Sequence, residues 1–167
     1  MEKWDIYNEN GVNTGKVICR GDKMEKGEYH ILVLGVIKNK RGQLLSTKRS
    51  LNIKFPGMWE FPGGAAKHGE TIIEAVKREI FEEIGVEVSE KELKCKIHGK
   101  CDDDKYPYLY FVYVIEKDVD IQQIKLQLEE TIEASYKTID EIEILIKEGK
   151  FLSGIFKKIN LLKQLGD

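Results

Sequence analysis

The feature that most constrains this chain is a run of glycines and charged residues at fixed spacing over residues 64–86. The run begins at a glycine and ends in a dense block that holds one arginine and three glutamates. The specified positions are Gly64, Glu70, Arg78, Glu79, Ile80, Glu82, Glu83, Gly85 and Val86, with Trp59 and Phe61, Pro62 and Gly63 leading in. So many specified positions in so short a segment indicate a built site rather than a random charged surface.

The spacing predicts a helix over about residues 70–84. An apolar stripe that should face a core recurs at i, i+3, i+7 and i+11, and its members are Ile73, Val76, Ile80 and Ile84. Beside it, Glu79, Glu82 and Glu83 fall at i, i+3 and i+4, where like charges repel. A divalent cation would relieve that repulsion, and carboxylates without Cys or His suit Mg²⁺ or Mn²⁺ better than Zn²⁺.

Three glutamates alone would also fit a solvated acidic helix face, and the glycines around them favour a site instead. Gly63 and Gly64 are expected to adopt backbone angles closed to other residues and to leave a carbonyl exposed. Gly85 stands where a helix stop is expected. Arg78 follows Glu74 by one turn in the favourable acid-before-base order, and it can reach Glu70 instead.

Composition and charge limit the class of protein. The 167 residues suffice for one domain, predicted over 1–167 with a β-rich extension at 1–29. A net charge of −2 argues against binding a nucleic acid polymer. No apolar run approaches 18 residues, so no membrane association is expected. Three cysteines, an odd number, fit a reducing cytoplasm. Cys95 and Cys101 flank His98 without a zinc-site spacing.

Apolar runs and turn signals predict strands mixed with three helices, which indicates an α/β or α+β sandwich. The predicted strands are 5–7 and 16–19 (a hairpin), 31–37, 43–48, 59–61, 93–98, 108–115, 125–128 and 132–136, and the predicted helices are about 70–84, 139–148 and 155–165.

The run at 64–86 resembles the Nudix box, the signature of Mg²⁺-dependent hydrolases of nucleoside diphosphates linked to another moiety. The resemblance implies a Nudix-type α/β/α sandwich with a mixed β-sheet, in which residues 59–86 form a loop–helix–loop motif. It implies that Arg78 orients the glutamates and that Glu70 stabilises the loop and the helix. The metal ligands that it implies are Glu79, Glu82 and Glu83, with the carbonyl of Gly63 or Gly64.

The remaining roles are open at this level. Glu130 is favoured as the general base, ahead of Glu129 and then Glu82 or Glu83, while a solvated loop explains Glu129 and Glu130 equally well. Lys48 and Arg49 end a strand where they could meet substrate phosphates or solvent. Trp59 could stack on a base or pack in the core.

Three functions compete. The first is a pyrophosphohydrolase with Mg²⁺, or Mn²⁺ as a substitute, acting on a small nucleotide, with a nucleoside triphosphate, oxidised or not, favoured by the Trp59–Gly64 segment. The second is an isopentenyl-diphosphate isomerase, which the N-terminal residues and His30 resemble, although residues 50–64 lack the Cys that such enzymes need. The third is a non-catalytic nucleotide-binding module. The sequence leaves open whether the chain forms a homodimer.

Overall fold

The computed structural model describes residues 1–102, 105–152 and 165. The elements in chain order are β1 (Lys3–Tyr7), β2 (Asn13–Cys19), β3 (His30–Lys38), β4 (Leu44–Arg49), β5 (Trp59–Glu60), β6 (Gly63–Ala65), α1 (Ile72–Ile84), β7 (Lys94–Cys101), β8 (Tyr108–Glu116), β9 (Thr131–Lys137) and α2 (Ile139–Lys147). The predicted helix over 155–165 lies outside the described residues, except for its last position.

The central sheet is mixed. Strands β5, β4, β3, β8 and β7 lie in that order, β6 pairs with β3, and β9 pairs with β4. A parallel pair joins β3 to β8 over their whole length, from His30 opposite Tyr108 to Lys38 opposite Glu116. Both strands are apolar on both faces, which is why they occupy the middle of the sheet, as the sequence predicted for 108–115.

A helix covers each face of this sheet. Residues of β3 alternate between the two faces, so Val33 and Ile37 pack with α1 while Val36 packs with α2. On α1, Val76, Ile80 and Ile84 are fully buried and Ile73 is half-buried against the same cluster; on α2, Ile142 is the fully buried residue. The predicted α/β/α sandwich is therefore confirmed.

The ends of α1 follow from its sequence. Thr71 caps its first turn, because its hydroxyl accepts the Glu74 N–H while the Glu74 carboxylate accepts the Thr71 N–H. Gly85 ends the helix in the left-handed region, with φ at 68° and its N–H donated to the Phe81 carbonyl. Glu74 is thus occupied by capping, which rules out the first of the two partners that the sequence left open for Arg78.

One strand prediction is also wrong. Residues 125–128 are not a strand, because their backbone closes the end of α1 instead. Lys125 donates its N–H to the Ile84 carbonyl at 3.1 Å, and Gln127 donates to the Glu83 carbonyl at 3.3 Å. A Cβ at Gly85 would lie 2.9 Å from the Lys125 Cβ, so the two segments pack tightly. The neighbouring strand prediction is confirmed by β9.

Close packing of α1 on β3 makes Gly35 a sensitive position. A Cβ there would overlap the Cδ1 of Ile80, which is fully buried. We expect Gly35→Ala to lower the free energy of unfolding by roughly 1–3 kcal/mol, as overpacking does. The Cγ1 of Ile80 would lie nearly as close as its Cδ1, so relief requires Ile80→Ala, which removes both atoms. The cost of Gly35→Ala, measured by urea unfolding, should therefore be smaller in an Ile80→Ala background than in the wild type. An equal cost in both backgrounds would contradict this contact.

Candidate active site

The two glycines of the box act through close packing. Gly63 and Gly64 lie in β6, paired with Leu34 and Val33, and neither has a positive φ. A Cβ at Gly63 would overlap the Val33 carbonyl oxygen, and one at Gly64 would lie 2.5 Å from the Glu79 Oε1. The expected unusual backbone angles are therefore absent here. Glycine is required at position 64 because α1 brings the Glu79 carboxylate against β6, and at position 63 because β3 lies against it.

Glu83 is the most deeply placed carboxylate of the box, with 4% of its surface exposed. Its Oε1 accepts the Gly63 N–H at 2.9 Å, and its Oε2 lies 3.4 Å from the hydroxyls of Thr47 and Thr131. Burial, followed by the charge of nearby Glu60, raises the pKa of Glu83 well above its ordinary value. A cation close to this buried carboxylate would therefore stabilise its ionised form.

Arg78 organises the other carboxylates of the box. Its guanidinium donates to both oxygens of Glu70, at 2.5 and 2.9 Å, to Glu79 at 2.7 Å and to Glu82 at 3.0 Å. It also donates to the Ala65 carbonyl at 3.1 Å, which ties α1 to β6. Although burial opposes it, the hydrogen bond to Glu70 raises the pKa of Arg78 further. Of the two partners that the sequence allowed for Arg78, Glu70 is the correct one.

A metal geometry is not preformed. Among residues 1–102, 105–152 and 165, no three His, Cys, Asp or Glu side chains converge closely enough to hold an ion. The reason is that Arg78 draws Glu79 and Glu82 towards itself, while Glu83 is turned to Gly63. The donor chemistry still fits a hard divalent cation, since these carboxylates surround the Gly63–Gly64 backbone and burial raises the pKa of Glu79 despite its contact with Arg78.

A further carboxylate, which sequence reasoning missed, adjoins this group. Glu60 of β5 receives two hydrogen bonds from Arg49, at 2.7 and 2.9 Å. Burial outweighs that guanidinium and, with the charges of Glu130 and Glu79, raises the pKa of Glu60 to about 7. The sequence feature that could have pointed to Glu60 is its position as a lone charged residue between Trp59 and Phe61, two large side chains that are both buried.

A cavity of about 520 Å³ adjoins these groups, and neither Glu83 nor Glu70 is part of its lining. Its acidic side is formed by Glu60, Glu79, Glu82 and Glu130, and basic residues on its lining are Arg20, Arg49, Lys54, Lys67 and Arg78. Glu130 is in the lining and Glu129 is not. Both belong to the turn before β9, where the Glu130 carbonyl accepts the Ser50 N–H at 2.7 Å.

Two of the predicted substrate-binding residues lie away from this cavity. Lys48 pairs with Glu133 at 3.3 Å, and its ammonium lies 5.5 Å from the Trp59 ring centre. Trp59 is 8% exposed and belongs to the core on the α2 side, with the Lys137 ammonium 3.6 Å from its ring centre. Strand alternation explains the error, because Lys48 and its neighbour Arg49 point to opposite faces of β4. Of the three, only Arg49 reaches the cavity.

The N-terminal hairpin is docked on the box. The Asp5 carboxylate of β1 accepts the Gly69 N–H at 2.9 Å and lies 2.7 Å from the His68 Nδ1. The backbone N–H of His68 is donated to the Lys3 carbonyl at 2.7 Å. Burial opposes ionisation of Asp5, but the hydrogen bonds from Gly69 and His68 lower its pKa. The hairpin itself was predicted; its contact with the segment before α1 was not.

Comparison with known proteins agrees with this architecture. The family model described as the NUDIX domain matches residues 28–157. An uncharacterised Nudix hydrolase of Listeria monocytogenes is 36% identical over 160 residues, which are 93% of this chain and 91% of that protein. An 8-oxo-dGTP diphosphatase of Proteus vulgaris is 40% identical over 67 residues, 40% of this chain and 59% of that protein.

Solved structures show the same fold. The crystal structure of DR0079 from Deinococcus radiodurans superposes with a TM-score of 0.75 and 23% identity, covering 98% of this chain and 99% of that one. The MutT protein from Methanosarcina mazei gives 0.65 at 24% identity, covering 81% and 94%. The chain belongs to the Nudix family, and the predicted family and hydrolase class are confirmed. No helix in the described part of the chain is long and apolar enough to cross a membrane.

Proposed function

We propose that the protein hydrolyses a phosphoanhydride bond of a nucleoside diphosphate-linked substrate, with a nucleoside triphosphate, oxidised or not, as the favoured substrate. The observation that carries this proposal is the group of carboxylates packed around Gly63 and Gly64 beside a cavity of about 520 Å³. The local match to a protein named 8-oxo-dGTP diphosphatase supports the choice of a triphosphate. A small molecule of this kind, rather than a polymer, fits a cavity of this volume.

The proposed cofactor is Mg²⁺, with Mn²⁺ as a substitute. Glu79, Glu82 and Glu83 would hold it, with the backbone at Gly63 or Gly64. When bound, it neutralises phosphate charge and lowers the pKa of an attacking water. For this, Glu79 and Glu82 must turn from Arg78 towards the cation. Arg78 would then keep its bidentate bond to Glu70 and continue to hold α1 against β6.

A hydrolysis screen in which the products are separated by ion-exchange chromatography tests this function, because cleavage of these linkages can release pyrophosphate or a phosphomonoester instead of phosphate. The panel contains deoxynucleoside triphosphates, 8-oxo-dGTP, ADP-ribose, nucleotide sugars and dinucleoside polyphosphates, each with Mg²⁺, with Mn²⁺ and with EDTA. We expect metal-dependent turnover of at least one triphosphate. Turnover that persists in EDTA would contradict the metal proposal, and failure on every pyrophosphate linkage would contradict the proposed reaction.

The proposed general base is Glu130, and Glu129 is its matched control. Both are exposed and adjacent, but only Glu130 lines the cavity, and its charge raises the pKa of Glu60, Glu79 and Glu83. Glu130→Gln should therefore lower kcat about a hundredfold, at the low end of general-base effects, while Glu129→Gln leaves it within about twofold. Steady-state kinetics on the best substrate of the screen decides this. Equal effects of the two changes would remove Glu130 from the role.

A further inference from the structure

One wall of the cavity comes from outside the segment that matches the family model. Glu2, Trp4 and Arg20 all line the cavity, yet they precede residue 28, where the match begins. The Listeria relative aligns over 93% of the chain, whereas the diphosphatase from Proteus aligns over 40%. What that diphosphatase accepts therefore does not determine what this wall contacts. We call Glu2, Trp4, Arg20 and the adjacent Tyr106 the hairpin wall.

Trp4 is the tightly packed residue of the hairpin wall. It is 4% exposed and stacks on the His30 ring, with 4.3 Å between centroids and 17° between planes. Tyr106 meets it edge-on at 5.9 Å. The indole Nε1–H is donated to the Glu2 Oε1 at 2.6 Å. Packed in this way, Trp4 directs the carboxylate of Glu2. The aromatic surface that this wall offers a ligand is the partly exposed Tyr106 ring, whose centre lies 5.0 Å from the Lys105 ammonium.

Arg20 is the loosely held cation of this wall. Its backbone is fixed, since its N–H is donated to the Glu2 carbonyl at 2.8 Å and the Tyr106 hydroxyl bonds to the next carbonyl, that of Gly21. Its guanidinium makes a 3.5 Å contact with the Glu2 Oε2, and its side chain is 67% exposed. Arg78, by contrast, is 17% exposed and is engaged by carboxylates. The guanidinium of Arg20 can therefore turn to a ligand at little cost.

The chemistry of the wall favours a neutral planar group. Glu2 and Arg20 carry opposite charges, so their combined charge is close to zero, and a phosphate would meet the carboxylate as well as the guanidinium. Together they present hydrogen-bond donors beside an acceptor, next to a partly exposed aromatic ring. A nucleobase edge with a carbonyl and an N–H is complementary to that pair, since arginine binds base acceptors and glutamate accepts from base amino groups.

We infer that the hairpin wall binds the nucleobase of the substrate and that Arg20 and Glu2 select it. This inference rests on the proposed function, because it assigns the non-phosphate part of the same substrate. It also gives a role to the docking of the hairpin on the box through Asp5, which fixes the wall relative to the carboxylates.

Base selectivity is the quantity to measure. Values of kcat/KM for dGTP, dATP, dCTP and dTTP are compared in the wild type, Arg20→Leu and Glu2→Gln, with Arg41→Leu in the exposed turn before β4 as the control. We expect the wild type to prefer one base by about tenfold or more. Arg20→Leu should bring the four values within about threefold, through KM, with kcat within about twofold. The inference would be overturned if Arg20→Leu lowered kcat/KM by the same factor for all four nucleotides, or if the wild type showed no preference among the four bases.

Fluorescence of Trp4 gives a readout that does not need turnover. The chain has two tryptophans, and Trp59 lies outside the cavity, so a ligand-dependent change reports Trp4. The preferred nucleotide should quench more strongly than inorganic triphosphate, and Arg20→Leu should abolish that difference. Equal quenching by the two would overturn the inference and leave the hydrolase proposal standing. Selective quenching without hydrolysis of any nucleotide would instead overturn the proposed function and leave base binding intact.

Discussion

Glu83→Gln should reduce turnover roughly a thousandfold or more while leaving the protein folded. The change keeps the size of a side chain that is 4% exposed, and the amide oxygen can still accept the Gly63 N–H. What it removes is the negative charge proposed to hold the cation. Loss of such a group costs several kcal/mol of transition-state stabilisation. The measurement is kcat on the best substrate at saturating Mg²⁺.

Stability of the metal-free variant separates chemistry from folding. Burial and the charge of Glu60 raise the pKa of Glu83 in the folded state. The wild type therefore takes up a proton there on folding. That contribution to stability is fully present below the unfolded pKa, about 4.3, and is lost as pH rises through the folded pKa. Glutamine does not ionise, so Glu83→Gln is not subject to this loss. The melting temperature of the variant minus that of the wild type should therefore increase from pH 5 to pH 8.

Metal titration completes the test of Glu83. A ligand that binds only the folded state raises the melting temperature with its concentration. Mn²⁺ should raise it in the wild type and much less in Glu83→Gln. Glu87→Gln, an exposed change on the same segment beyond Gly85, is the control and should respond as the wild type does. A Glu83 variant with near-native turnover and an unchanged Mn²⁺ response would show that this carboxylate is structural.

The central elements were predictable because local pattern and burial agree. The stripe through Val76, Ile80 and Ile84 has helical spacing and is buried, and Gly85 ends the helix as expected. The segment at 125–128 was mispredicted because its backbone hydrogen bonds go to the end of α1. Those partners lie 41 and 44 residues earlier (125 − 84 and 127 − 83), and no local pattern reveals them. Sequence spacing predicts one element well and the contacts between distant elements poorly.

The same limit applies to the site. The box residues Glu79, Glu82 and Glu83 were predicted to share one face and to hold a metal. Glu79 lies against Gly64 and Glu83 accepts the Gly63 N–H, whereas Glu82 bonds to Arg78. Their role as metal ligands stays a prediction. Glu60 was missed because its part in the acidic group depends on β5 lying beside β4, which brings Arg49 to it. The order of the strands in the sheet therefore determines which carboxylates lie together in the cavity.

Arg78→Gln should lower kcat/KM by several hundredfold, because Arg78 is the group through which α1, β6 and the segment before α1 are held together. It is 17% exposed and bonds to Glu70, Glu79 and Glu82 and to the Ala65 carbonyl. Removing one partner from a fully buried ion pair costs about 3–5 kcal/mol, so the cost for this partly exposed guanidinium should be smaller. Part of that cost appears as lower stability and part as displacement of α1, with the glutamates that it carries, relative to β6.

Arg78→Lys distinguishes charge from geometry at this position. Lysine keeps the positive charge but cannot bond to both oxygens of Glu70 while also reaching Glu79. We therefore expect it to recover most of the melting temperature of Arg78→Gln and little of its activity, with a raised Mg²⁺ concentration for half-maximal rate. Lys77→Gln, the adjacent basic residue on α1, is the control, because Lys77 does not line the carboxylate cavity. Full activity in Arg78→Lys would mean that only the positive charge of Arg78 matters. The several hydrogen bonds of its guanidinium to Glu70, Glu79 and Glu82 would then have no effect on catalysis.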